Sequence, residues 1–181
     1  MKKKGLFIAF ALLLIGIPIF LMIKSEDVLE NGIRHKLRLR AYDPFDPFRG
    51  KYLRLNYDNT ASCDPGLETG DACYITLKKG EDGFSTFEHM HQEKPETEDY
   101  FESRVLYAFD STGTFKLDNM EKYFINESKA GHAERVVQDF QRKKPDDIYV
   151  AIRVMEGEVR LEDVYIQEVP LLEYLESHPE N

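Results

Sequence analysis

The sequence predicts a mainly β fold, in which an N-terminal transmembrane helix precedes an antiparallel β-sandwich or small barrel with one helix. The first observation is a run of 19 uncharged residues at 5–23. The second is a repeated alternation of apolar and polar residues over short segments, which is typical of half-buried strands. The third is that one later segment, 130–140, has helical spacing. Seven or eight short strands with a single late helix favour a sheet that closes on itself.

The uncharged run is long enough to cross a bilayer. At about 1.5 Å per residue, a helix over 5–23 extends roughly 28 Å, close to the thickness of the hydrocarbon layer. Lysines occupy positions 2–4, and after the run only Lys24 precedes the first acidic residue. This asymmetry predicts a cytoplasmic N-terminus and a single-pass membrane anchor, 1–24, that holds an extracytoplasmic domain, 25–181.

A cleaved secretory signal is the alternative to an anchor. Such signals have a shorter apolar core that is followed by a small-x-small cleavage site. Residues 20–26, FLMIKSE, contain no such pattern, and no cysteine follows that could carry a lipid. We therefore expect an uncleaved anchor whose residues 5–23 contact the lipid bilayer.

The exported part is strongly acidic. All 33 acidic residues follow residue 24, whereas four of the 24 basic residues lie at or before it, so the remainder carries a net charge of −13. A surface of this sign repels phosphate backbones, and we expect no nucleic-acid partner. Its length suits one domain with a single core.

The first exported segments alternate with a period of two. At 33–41, apolar residues and His35 alternate with basic residues, which predicts a strand with one buried and one basic face. Two Asp-Pro steps within 43–50 predict a rigid turn. The next strand, 52–57, has two leucines and Tyr57 on its core side.

The middle of the chain has strands that are separated by turns and one polar segment. Alternation and β-forming residues predict strands at 73–77, 84–87, 101–109, 115–117 and 123–125. Residues 88–99, EHMHQEKPETED, are polar and acidic, and we expect an exposed loop there.

One helix is predicted from its spacing. Its apolar stripe consists of Ala130, Ala133, Val137 and Phe140. Asn126 or Ser128 can cap its first turn, and Pro145 ends it.

A hairpin and a tail complete the domain. Residues 148–154 and 159–166 alternate on either side of a Glu-Gly turn, which predicts two paired strands. The tail after Pro170 forms a short terminal helix or frays.

The two cysteines, Cys63 and Cys73, lie ten positions apart with Gly and Pro between them. In an exported domain, this arrangement predicts a disulfide that closes a loop between two strands. Free thiols are the alternative.

The Asp-Pro turn opens a segment that reads DPFDPFRGKYLRLNY over 43–57. This segment resembles the signature of the GDYXXLXY protein family, named for Gly-Asp-Tyr-x-x-Leu-x-Tyr. The matching positions are Gly50, Tyr52, Leu55 and Tyr57. Lys51 stands in place of the acidic residue. The resemblance implies a single-anchor, exported protein of unknown function, and family members are often encoded beside or fused to multi-pass membrane proteins.

The same segment is the candidate binding site. It is interpreted either as a rigid corner between two strands or as a loop that docks on a partner. As a docking loop, its expected contact residues are Asp43, Asp46, Arg49, Lys51, Tyr52 and Tyr57. No positioned nucleophile or base accompanies these aspartates, so we expect neither catalytic residues nor an enzyme.

His89 and His91 fall on one face if their segment is extended, and such a pair can bind zinc or copper. Two neighbouring ligands do not make a site without a third from elsewhere in the chain. We therefore predict no metal site and no cofactor.

These observations favour an accessory or interaction subunit of an integral membrane partner. A cell-envelope sensor that binds a small ligand or peptide is the alternative. A hydrolase is disfavoured because the sequence contains no nucleophile motif such as Gly-x-Ser-x-Gly.

Overall fold

The structure, a computed structural model, describes residues 2–40 and 52–179. Its helices are α1 (Lys2–Asn31), α2 (Glu127–Lys143) and α3 (Leu171–Ser177). Its strands are β1 (Ile33–Arg38), β2 (Tyr52–Arg54), β3 (Thr60–Cys63), β4 (Ala72–Lys79), β5 (Ser85–His91), β6 (Tyr100–Phe109), β7 (Thr112–Phe115), β8 (Lys122–Phe124), β9 (Ile148–Met155), β10 (Glu158–Ile166) and β11 (Val169–Pro170).

The described strands form a closed barrel, an open sheet and a two-stranded ribbon. The barrel has the order β3-β5-β4-β6-β7, the open sheet has the order β1-β9-β10-β11, and the ribbon pairs β2 with β8. Pairing is antiparallel except between β3 and β5, which run parallel. The predicted mainly β fold with a small barrel is confirmed.

Aromatic and aliphatic side chains fill the barrel. Phe101 of β6 and Phe115 of β7 are fully buried and meet edge to face, with their ring centroids 5.9 Å apart. Phe87 of β5 contacts both rings. Met90 enters the same core from β5. Burying side chains of this size stabilises the fold by about 1.5–3 kcal/mol each.

Strand β9 is the centre of the open sheet. Its first five residues, IYVAI, are all buried, because helices and neighbouring strands cover both of its faces. A strand covered in this way has a continuous apolar run and not an alternating pattern.

Helix α2 forms where its spacing predicts. Ala130, Ala133 and Val137 are buried. Asn126 is the N-cap, and its side-chain oxygen accepts a hydrogen bond from the backbone N–H of Ser128 at 3.1 Å. A short 3-10 turn, Pro145–Asp147, follows the helix.

The last turns of helix α1 pack on the open sheet, so the helix leads directly into the domain. Val28 is fully buried, and the backbone N–H of Gly32 donates to the carbonyl of Val28 at 3.0 Å. Among the described residues, no helix combines the length and the apolar character that crossing a bilayer requires.

The predicted loop at 88–99 is wrong in its first part. Strand β5 continues to His91, with Met90 facing the barrel interior and the neighbouring polar residues facing outward. Polar residues are compatible with a strand here because only one face of a barrel strand must be apolar. At the C-terminus, the predicted terminal helix forms as α3, with Leu171 and Leu175 buried.

The predicted disulfide is also wrong, because Cys63 and Cys73 are both buried, free thiols. Cys63 ends β3, Cys73 belongs to β4, and β5 lies between these strands. Two strand spacings separate β3 from β4 by about 10 Å, whereas a disulfide requires Cα atoms within about 7 Å. Burial raises the pKa of the Cys73 thiol to about 11.

Candidate functional site

The predicted binding residues fall into two groups. Asp43, Asp46, Arg49 and Lys51 lie outside the described residues. Tyr52 and Tyr57 are described, and they occupy different environments.

Tyr52 belongs to the β2–β8 ribbon at the partly exposed surface. Its ring meets that of Phe124 edge to face, with centroids 6.1 Å apart, and the Lys122 ammonium lies 5.1 Å from the Tyr52 ring centroid. Phe124 itself is 71 % exposed. The ribbon therefore presents an aromatic side chain to the solvent beside the segment that carries the family signature.

Tyr57 is a core residue. Its ring is buried, and its hydroxyl donates a hydrogen bond to the backbone carbonyl of Met120 at 2.8 Å. Burial raises the pKa of Tyr57 well above its usual range, so the phenol stays protonated and keeps donating. The backbone N–H of Leu55 donates to the carbonyl of Glu121 at 2.8 Å. These bonds hold residues 55–57 against the 117–124 segment.

The 117–124 segment forms one wall of a groove of about 780 Å³. The opposite wall includes Ser25 and Leu29 from the end of α1 and Arg160 from β10. Phe124 lines the groove at the ribbon. We call this region the α1-proximal groove.

Polar contacts hold the end of α1 against β10. Lys24 forms an ion pair with Glu158 at 2.9 Å, and the guanidinium of Arg160 donates to the Ser25 hydroxyl at 3.0 Å. The hydrogen bond from Lys24 lowers the pKa of Glu158, although partial burial opposes this shift. The groove therefore has one wall set by α1 and another set by the ribbon.

A second polar cluster lies on the outer face of the barrel, across three adjacent strands. The parallel register places Ser62 of β3 beside His89 of β5, and the antiparallel register places Thr76 of β4 on the other side of His89. His91 follows two positions later on the same face. Asp64 comes directly after β3.

The distances within this cluster are short. His89 Nε2 lies 2.8 Å from Asp64 Oδ1, and His89 Nδ1 lies 2.7 Å from Ser62 Oγ. The other Asp64 oxygen accepts a hydrogen bond from the backbone N–H of Gln92 at 3.0 Å. The hydrogen bond with His89, helped by that from Gln92, lowers the pKa of Asp64. Burial, followed by the neighbouring His89, lowers the pKa of His91.

A serine, a histidine and an aspartate in a row resemble a nucleophile with its base and orienting acid. The Ser62 hydroxyl, however, also donates to the backbone carbonyl of Glu88 at 2.8 Å. A hydroxyl has one hydrogen, and a carbonyl can only accept, so this bond draws the hydrogen away from His89. The arrangement thus leaves the serine oxygen as an acceptor from the imidazole.

Sequence reasoning identified His89 and His91 but missed Asp64 and Ser62. Asp64 is 25 positions away from His89. The parallel pairing of β3 with β5 brings it close to His89, and no local sequence pattern predicts that pairing. The Asp-Pro-Gly turn at 64–66 is a signal for a chain reversal, not for a ligand.

The family comparison covers most of the chain. The family model described as GDYXXLXY protein matches residues 14–164. No curated protein and no solved structure matches the chain. The match extends from within α1 to within β10, so it includes both walls of the α1-proximal groove and the whole barrel. The chain therefore belongs to the GDYXXLXY protein family.

Proposed function

We propose that this protein is a membrane-anchored, extracytoplasmic accessory subunit that docks on an integral membrane partner through the α1-proximal groove. In this proposal the uncharged run at 5–23, several of whose side chains lie outside the described set, spans the bilayer with the N-terminus in the cytoplasm. The proposal rests on one observation: an exposed aromatic side chain, Phe124, lies on a groove that is built partly from the end of α1.

The composition and environment of α1 support the anchor. Residues 5–23 carry no charge, and the side chains described at positions 10 and 12–24 are all exposed. A contiguous apolar surface of this kind is unfavourable in water and is typical of a surface that meets lipid or protein. The lysines at 2–4 favour a cytoplasmic N-terminus.

The length of α1 supports a groove that lies close to the membrane. Thirty helical residues extend about 45 Å, whereas the hydrocarbon layer is about 30 Å thick. The last eight residues of the helix, about 12 Å of its length, then project beyond the lipid. Those residues include Ser25 and Leu29, which line the groove. A partner that reaches the groove at this height is expected to be a membrane protein itself.

The groove surface suits a protein partner. Its lining mixes apolar side chains with charges of both signs, including Leu29, Phe124, Lys122 and Glu162. An exposed aromatic anchor inside a polar rim is a common arrangement in protein interfaces.

Site-specific photo-crosslinking tests the groove as a docking surface. A photoreactive phenylalanine analogue at position 124 of the full chain is irradiated in the cells that produce the protein, and adducts are identified by mass spectrometry. The proposal predicts one main adduct, with an integral membrane protein.

Position 109 provides the matched control. Phe109 is 72 % exposed, close to the 71 % of Phe124, but it is not part of the groove. The proposal predicts little or no adduct with the same protein from position 109. Equal adducts from both positions, or no membrane-protein adduct from position 124, would contradict it.

A further inference from the structure

The second polar cluster, on the outer face of the barrel, combines Asp64 with two histidines from a different part of the chain, His89 and His91. One ligand atom each from Asp64, His89 and His91 lies within 4.8 Å of the others. The two imidazole rings are 4.5 Å apart at their centroids. All three residues are partly exposed, so an ion in solution can reach them.

Hydrogen bonding fixes which His89 nitrogen carries a hydrogen. Ser62 donates to the Glu88 carbonyl, so the Ser62 oxygen makes its contact with His89 by accepting a hydrogen from Nδ1. The other ring nitrogen, Nε2, then points at the Asp64 carboxylate from 2.8 Å. Nε2 therefore meets the carboxylate in one of two ways: as an N–H of a doubly protonated ring that donates to Asp64, or through a cation that takes the place of that hydrogen.

A backbone group holds the Asp64 carboxylate in this arrangement. The N–H of Gln92 holds one Asp64 oxygen, and the other oxygen remains directed at His89. A histidine whose second nitrogen is held by a hydrogen bond, and a carboxylate that is itself hydrogen-bonded, are the usual surroundings of a metal ligand.

We propose that Asp64, His89 and His91 bind a divalent transition-metal ion of the zinc type. Imidazole nitrogens and a carboxylate oxygen are the ligands that such ions prefer. Tetrahedral zinc with bonds of about 2.1 Å places its ligand atoms about 3.4 Å apart, so side-chain rotations that move these atoms by about 1 Å complete the set.

Three protein ligands leave one position open. In tetrahedral zinc sites that position is occupied by water or by a group from a bound molecule. Thr76 lies beside His91, with its hydroxyl oxygen 3.2 Å from His91 Nε2, and orients the ring. The site is therefore suited to exchange a ligand, independently of the α1-proximal groove and of the proposed partner.

Zinc titration of the untagged full chain in detergent, after chelator treatment, tests this proposal. The wild type is expected to bind one equivalent of Zn²⁺, and to bind it more tightly than the cluster variants do. Asp64→Asn, His89→Gln and His91→Gln should each weaken that binding at least about tenfold, and Ser62→Ala should weaken it about tenfold by releasing the His89 ring. His132→Gln, which removes an imidazole on α2, is the control and should bind as the wild type does.

A second measurement uses the wild type alone, so that an unstable variant cannot obscure the result. Zinc should shift the imidazole NMR signals of His89 and His91 and leave those of His35 and His132 in place. Absence of stoichiometric binding by the wild type would overturn the proposal. Cluster variants that bind Zn²⁺ as tightly as His132→Gln, or unshifted His89 and His91 signals, would do so as well.

Discussion

At the scale of single residues, His35 is the buried ionisable side chain of β1. It is 3 % exposed, and its Nδ1 lies 2.9 Å from the Ser85 hydroxyl. Burial lowers the pKa of His35, with a contribution from Lys79, although Asp99 at 3.5 Å favours the charged ring. Burial in the folded protein therefore favours the neutral imidazole over the charged one.

His35 makes stability depend on pH. Its unfolded pKa is near 6.5, so below about pH 7 the unfolded chain takes up a proton that the folded chain resists. The free energy of unfolding should therefore fall as the pH falls through 6.5 toward the lower folded pKa. His35→Gln should reduce that slope, as measured by urea unfolding at intervals between pH 7.5 and 5.5.

His132→Gln is the control for this prediction and should retain the wild-type slope. His91, whose pKa is also lowered, should leave part of the slope in His35→Gln. An unchanged slope in His35→Gln would show that His35 does not set the pH dependence.

The alternation at 33–41 predicts that His35 faces the core, and the structure buries it. Its partners could not be predicted in the same way. Ser85 opens β5 and Asp99 precedes β6, so both reach His35 only after the barrel has closed against the open sheet.

At the scale of elements, the junction between α1 and β1 is closely packed around Gly32. A Cβ atom at Gly32 would collide with the backbone carbonyl of Val28 and would lie 3.1 Å from that of Val154. Both obstacles are backbone atoms, which cannot rotate away. The junction thus requires glycine because of close approach.

Gly32→Ala is expected to destabilise the protein by about 1–3 kcal/mol, the usual cost of overpacking. Gly131→Ala is the matched control, because the nearest atom to its added Cβ is the end of the Arg135 side chain at 4.0 Å. On the exposed face of α2 that change should stabilise by about 0.5–1 kcal/mol. Urea unfolding of both variants measures the two effects, and a loss of similar size in both would contradict the packing argument.

Elements with strong local patterns could be predicted, whereas those set by long-range pairing could not. Helix α2 follows from its stripe and its Asn126 cap, because both signals lie within the helix or directly before it. The end of β5 was missed because its outward residues, including His89 and His91, are polar. The cysteine pairing was wrong because β5 inserts between β3 and β4, and strand order is a property of the whole barrel.

At the scale of the whole molecule, α1 leads directly into the β domain and packs on it. Val28 is buried against the open sheet, and Lys24 and Ser25 contact β10 directly. A helix that continues into the domain in this way fixes its own orientation relative to the domain more firmly than a flexible linker would. The α1-proximal groove lies at this junction, whereas Asp64, His89 and His91 lie on the barrel.

The distribution of charge along the chain separates the N-terminal helix from the domain that follows it. Lysines precede the apolar run, and all 33 acidic residues follow it. The lysines, the apolar run and the family signature at 43–57 are visible in the sequence itself, because each lies in one continuous segment. Asp64 meets His89 only through the parallel pairing of β3 and β5, so the cluster of Asp64, His89 and His91 could not be predicted.

A topology measurement on the full chain tests the central claim most directly. Alkaline phosphatase, which is active only outside the cytoplasm, and a cytoplasm-dependent fluorescent protein are each fused after residue 181, and the membranes are washed with alkaline carbonate. The account predicts active phosphatase, no fluorescence and a chain that stays in the membrane pellet with its N-terminus intact. A fluorescent fusion with inactive phosphatase, release by carbonate or a mature N-terminus beyond residue 24 would contradict it.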